Sequence, residues 1–203
     1  MDTRFAVVVL VFLISYEIAR SEDTSPPASI IQKAESGDLI FRYSGGFLGT
    51  LAASMSPQDH RFSHVGIVVV EGSLVDVIHA DASPREGPPR VVREPITEWI
   101  GGVKVLGLYR VKAAKQTRNR ISQEAQRLFK AGIVFDAHFD DDAEDRLYCT
   151  KLVAKAVSFA QSDSGETPVV FAKQKFLGDR WYLPVDSLYL NARVSKLVDT
   201  STQ

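Results

Sequence analysis

The chain carries a single cysteine, Cys149, within RLYCTKLVAKAV, and four histidines, His60, His64, His79 and His138. A thiolate attacks carbonyl carbon well, but it needs a base within hydrogen-bond reach and a third group that orients the base. Cysteine and histidine together are thus a candidate acyl-transfer pair. A lone cysteine is equally one of the residue types most often buried as a small, inert hydrophobe. On residue counts alone the two readings stand level.

The elements that must position these residues narrow the choice. After the acidic stretch FDAHFDDDAEDR, the residues Cys149, Leu152, Val153, Ala156 and Val157 recur at helical spacing. Asp145 is the expected cap, which places Cys149 in or near the first turn. The partial positive charge and unpaired N–H groups of a helix start favour a thiolate and can receive an oxyanion. His64 opens FSHVGIVVV, a β-branched, almost wholly apolar run that predicts a buried strand. Glu71-Gly72-Ser73 is a plausible hairpin turn into LVDVIHA, where alternation puts His79 on the face of Val75 and Val77, with Asp76 pointing the other way. In such a hairpin His64 and His79 lie near the same end, as an orienting pair would.

The remaining segments predict an α+β domain. Strands are expected at Leu39 to Phe41, in RVVREPI and in VKVLGLYRV, with one or two more in the tail RWYLPVDSLYLNARVSKLV. A second helix is expected over residues 121–133 from the spacing of Ile121, Ala125, Leu128 and Phe129. TSPPAS reads as a short linker and SPREGPPR as a loop. His60 reads as a surface residue beside Pro57. Trp99, Phe176, Trp181 and Tyr182 are candidates to line a groove, although packing is the commoner use of such aromatics.

Composition excludes some functions. With 24 Lys and Arg against 25 Asp and Glu, the net charge is −1, and there is no electrostatic reason to expect nucleic acid as a partner. The carboxylates around His138 lack the glycine and ligand spacing of a calcium loop and read as a solvated acidic loop, and no paired Cys/His spacing suggests zinc, so neither metal nor cofactor is expected. The first residues differ from the rest: Arg4 precedes an apolar run from Phe5 to Ile14, too short to cross a bilayer comfortably but suited to a secretory signal. Ala19-Arg20-Ser21 offers a cleavage site, with an uncleaved anchor as the alternative. The expected organisation is a signal peptide over residues 1–21, a linker segment over 22–36 and one domain over 37–203 of a secreted or periplasmic protein. In an oxidising compartment an unpaired cysteine favours a reactive or intermolecular thiol.

GDLIF, FSHVGIVV, VIHA and LYCTKLV, in that order from about Gly37 to Val157, resemble the permuted branch of the NlpC-type papain-like superfamily. The similarity is to the YiiX/YaeF-like proteins, with lecithin:retinol acyltransferase relatives in the same branch. YLP and DSL near residues 182–188 are a weaker echo. The histidine precedes the cysteine, as the permuted order requires. The resemblance implies a small curved antiparallel sheet or barrel packed on helices. It also implies Cys149 as nucleophile, His64 as base and His79 in the third polar position. Tyr148, Thr150 and Lys151, flanking the nucleophile, are the candidate substrate-binding positions. Relatives often have Ser and Glu after the cysteine; Thr150 keeps the hydroxyl, whereas Lys151 reverses a charge: in the cleft it would favour an anionic group, and by default it is a solvated helix-face lysine. The implied function is a secreted cysteine hydrolase, amidase- or peptidase-like, acting on small-molecule, peptide or lipid substrates at a cell wall or membrane surface. An acyltransferase or phospholipase-like lipid enzyme, or a binding module with a papain-like cleft, is the alternative.

Overall fold

The structure, a computed structural model, describes residues 26–176 and 180–201; the expected signal at residues 1–21 lies outside them. Strands β1 (Leu39–Arg42), β2 (His64–Glu71), β3 (Leu74–Asp81), β4 (Arg90–Pro95) and β5 (Leu106–Val111) form the middle of one sheet. The short strands β6 (Val134–Phe135) and β7 (Arg146–Leu147) extend one edge, and β10 (Val194–Asp199) forms the other. Spatial order is β10-β5-β1-β2-β3-β4-β6-β7, antiparallel throughout except for the β6–β7 pair, and the sheet curls into a half-barrel. A separate ribbon joins β8 (Gln174–Phe176) to β9 (Arg180–Tyr182). The helices are α1 (Pro26–Lys33), α2 (Gly46–Ser54), α3 (Ile96–Ile100), α4 (Lys115–Lys130), α5 (Cys149–Gln161) and α6 (Asp186–Tyr189). The expected α+β, curved-sheet architecture is the one observed.

Both faces of the central strands are buried, which is why β2 reads as a continuous apolar run rather than as an alternation. On one face Phe41, Val65, Ile67 and Ile78 pack with Ile121 and Ala125 of α4 and Leu152 and Val153 of α5. On the other, Ile40, Val68 and Val77 pack with Ile30 of α1 and Ile96 and Trp99 of α3. The cysteine helix and the short helix α3 therefore sit on opposite sides of the strands that carry the histidines.

Four local expectations are corrected. Pro26 and Pro27, read as linker, open α1: proline is tolerated in a first helical turn, and the fully buried Ile30 anchors the helix. The helix expected over 121–133 runs instead from Lys115 to Lys130, because its polar first turns hide the start and Gly132, at φ 64°, follows its end. Asp145 does not cap α5; it pairs with Arg146, and Tyr148 stands at the N-cap without a side-chain cap bond. The acidic loop is not simply solvated. Asp136 is fully buried, and its carboxylate accepts the N–H groups of His138 and Asp140 at 2.9 and 2.8 Å.

Candidate active site

Cys149 is the first residue of α5 and only 7% exposed. The first helical bond runs from Leu152 N–H to Tyr148 O, and the N–H groups of Cys149 and Thr150 face the sulfur instead. A third donor comes from the sheet. The β2–β3 register starts at Ile67↔Ile78, and beyond it the N–H of Val65 turns to the Cys149 sulfur. The backbone N–H of the residue next to His64 thus favours the thiolate of the candidate nucleophile. Burial outweighs these donors and pushes the thiol up to about 11, so the helix start does not by itself yield a thiolate at neutral pH.

The two histidines meet. His64 Nε2 lies 2.9 Å from His79 Nδ1. His79 is fully buried, while His64 is partly exposed at the mouth of β2. Trp99 supports both rings: the His64 imidazole stacks on it at 5.1 Å and 25°, and His79 meets it edge-on at 4.6 Å. The Arg42 guanidinium covers the same indole at 3.9 Å. Burial, then the neighbouring His79 and Arg42, hold the His64 imidazolium well below the ordinary histidine range, so the ring is neutral at pH 7. Its Nε2 is committed to His79, which leaves Nδ1 as the nitrogen available to a reacting group.

Gly66 makes the juxtaposition possible. It faces His79 across the hairpin, and a Cβ placed there would lie 2.3 Å from Val77 Cγ1 and 3.4 Å from His79 Cβ. Gly66→Ala is expected to displace Val77, costing about 1–3 kcal/mol by overpacking and disturbing the stretch of β3 that carries His79. Denaturant unfolding together with histidine NMR checks this; an alanine variant of unchanged stability with the His64–His79 contact intact refutes it.

Cys149 and His64 open onto one cavity of about 660 Å³, without a hydrogen bond between them. Its walls are mostly apolar, with Phe47, Ala80, Pro89, Val134, Phe135 and Phe139 among them. Arg42 and Asp81 are its charged side chains. The flanking candidates Tyr148, Thr150 and Lys151 are not among its lining residues. The Tyr148 hydroxyl donates to Asp141 Oδ1 at 3.3 Å and accepts from Leu183 N–H at 2.9 Å. The Thr150 hydroxyl donates to Leu183 O at 2.6 Å. Lys151 Nζ donates to the carbonyls of Asp140, at 2.8 Å, and Ala143. Lys151 therefore staples the acidic loop, which carries Phe139 at φ 51° into the cavity wall. Carbonyl oxygens only accept, so an ammonium suits this position. Of the groove aromatics, Trp99 lies beneath the histidines and Trp181 is exposed, at 42%.

Arg42, Val65, Glu94 and the support that Trp99 gives to the histidines do not stand out from the sequence alone. Glu94 Oε1 lies 3.2 Å from His79 Nε2 and 3.6 Å from Arg42 Nη1. A carboxylate in the strand RVVREPI was a usable signal, but its registration against His79 depends on the long loop before β4.

Comparison with known proteins identifies the fold and the family. Residues 33–179 match the family described as "Permuted papain-like amidase enzyme, YaeF/YiiX, C92 family". Among solved structures, YiiX from Escherichia coli O157:H7 shares the fold with a TM-score of 0.64 at 18% identity, over 81% of this chain and 97% of that one. That protein is described as a metalloprotein; among the described residues of this chain, no three His, Cys, Asp or Glu side chains converge to hold a metal ion. No curated protein matches. With well over half its length matched, and with histidine preceding cysteine around a half-barrel, the chain belongs to the permuted papain-like amidase family of YaeF and YiiX.

Proposed function

We propose that the protein is an exported cysteine hydrolase that cleaves an amide or ester bond whose acyl side is apolar. Cys149 is the nucleophile, His64 the general base and His79 the group that orients it. The observation that carries this reading is the shared cavity, lined by both Cys149 and His64 and otherwise by predominantly apolar side chains. Its volume is typical of small-ligand sites, which run to about 300–1,000 Å³.

In the proposed cycle the Cys149 sulfur attacks the carbonyl carbon while its proton passes to His64 Nδ1. The developing oxyanion lies near the start of α5, where N–H groups lack helical acceptors. His64 then gives the proton to the departing amine or alkoxide, leaving a thioester on Cys149. Water attacks the thioester, loses its proton to His64, and the acid departs as the thiol reforms. The thiol and base are not hydrogen-bonded beforehand, and such contacts commonly tighten only when substrate is bound.

The test is to incubate the intact protein separately with long-chain acyl esters or amides and with cell-wall peptide fragments, then locate adducts by mass spectrometry. The expected result is an acyl adduct on Cys149 from the apolar substrates, absent in Cys149→Ala. An adduct formed only by the peptides overturns the apolar acyl assignment; no adduct from either class, with no turnover, overturns the hydrolase assignment.

A further inference from the structure

We infer that Glu94 is a positioning residue of this site: its carboxylate sets the direction of the protons along His79 and His64 and leaves His64 Nδ1 unprotonated toward the cavity. The inference rests on the reading of His64 as the base.

Four strands each contribute one member to the chain. Arg42 of β1, His64 of β2, His79 of β3 and Glu94 of β4 follow one another at 3.6 Å (Arg42 to Glu94), 3.2 Å (Glu94 to His79) and 2.9 Å (His79 to His64). The β3–β4 register pairs Val77 with Glu94 and His79 with Val92, so Glu94 shares the face of His79. His79 Nε2 and Glu94 Oε1 are both buried and neither makes an aligned hydrogen bond, to the other or elsewhere, so what they share is the 3.2 Å ion-pair contact. The close contact between them is the interaction available to each.

Proton direction follows from donor and acceptor chemistry. Two neutral imidazoles facing nitrogen to nitrogen hold one proton between them, and nothing in that pair decides which ring owns it. A carboxylate does decide, because it only accepts. With Glu94 ionised and both rings neutral, His79 carries its proton on Nε2, toward the carboxylate, and its Nδ1 has a lone pair. His64 must then donate from Nε2, and its own lone pair lies on Nδ1, the nitrogen a thiol proton can reach. When His64 takes that proton, Glu94 also supplies negative charge two residues away.

The surrounding charges are consistent with an ionised Glu94. The contact with His79, opposed by burial and reinforced by Arg42 and Arg85, holds its carboxyl below the ordinary range. Asp81, at the end of β3, acts on Arg42, and Arg85 is paired with Glu98 of α3 at 2.6 Å. A purely structural Glu94, present only as the counter-ion of Arg42, would leave the histidine protons undirected.

The experiment uses the full chain with 15N-labelled histidine, comparing wild type, Glu94→Gln and His64→Ala. Imidazole NMR gives the tautomer, and iodoacetamide gives the alkylation rate of Cys149 across pH. Glutamine can offer either its oxygen or its NH2 to His79, so it no longer imposes a direction. The expected results are a single Nε2–H tautomer for His64 in wild type and mixed tautomers in Glu94→Gln. Alkylation near neutral pH should fall about 10–100-fold, less than the ~10⁴ seen when a directly bonded carboxylate is lost, because one imidazole intervenes. An Nδ1–H tautomer in wild type overturns the inference even if the variant does not fold. An unchanged tautomer and rate in Glu94→Gln, with a slowed His64→Ala, also overturns it. If His64→Ala is not slowed, the base assignment fails instead, and the tautomers still report on Glu94 separately.

Discussion

Replacing His64 by alanine is expected to lower turnover by about four orders of magnitude at neutral pH. The size follows from the burial of Cys149, which pushes its thiol up to about 11. At pH 7 such a thiol is ionised in about one molecule in 10⁴. A base that removes the proton during attack recovers most of that factor, and general-base contributions reach about 10⁴-fold. The pH profile should change shape as well as height. In wild type the His64 imidazolium is held well below 6.5, so the base stays unprotonated through the mildly acidic range and the acid limb of kcat/KM falls below pH 6.5. In His64→Ala the residual rate should climb about tenfold per pH unit toward the thiol's own ionisation, since only thiolate then reacts. A profile of kcat/KM against pH for both proteins decides the matter. A variant that keeps wild-type turnover, or one whose rate stays flat with rising pH, removes His64 from the role of base.

The same two residues show how far the sequence could be read. The strand run HVGIVVV, the return strand VIHA and the helix beginning at Cys149 all carry strong local signals, and the half-barrel assembles them as expected. Pairing of His64 with His79 was legible because a short turn at Gly72 ties two strands whose alternation is clear. What was not legible depends on distance along the chain. Glu94 reaches His79 only because β4 pairs with β3 after a proline-rich loop, and nothing local sets that register. Trp99 lies in a five-residue helix, too short to show periodicity. Lys151 looked like a cleft residue or a solvated one; its actual partners are carbonyls eight and eleven residues earlier, set by the path of an irregular loop. The thiol's raised pKa was the least accessible property. The helix start predicts a lowered value, and only the packed structure shows that burial exceeds it.

Trp99 is where fold and site are held by one side chain, and its removal is expected to have the largest effect on stability. It is fully buried among Ile40, Val68, Val77 and Ile96, and both histidine rings and the Arg42 guanidinium rest on its indole. Arg42 Nη1 also donates to the Trp99 carbonyl at 3.2 Å. Trp99→Ala should cost about 3–5 kcal/mol, the usual range for an aromatic-to-alanine change in a core, which is a large part of the ~5–15 kcal/mol that holds a domain together. Trp99→Leu separates the two roles. Leucine retains most of the apolar contact but offers no π face to Arg42, a loss of about 0.5–2 kcal/mol, and no flat surface for His64. Water reaching His64 would weaken the desolvation that now lowers its pKa, so the acid limb of kcat/KM should move upward toward pH 6.5 in this variant. Denaturant unfolding and pH profiles measured together test both halves. If Trp99→Leu loses stability while its acid limb stays at the wild-type position, the indole is core packing alone and does not tune the base.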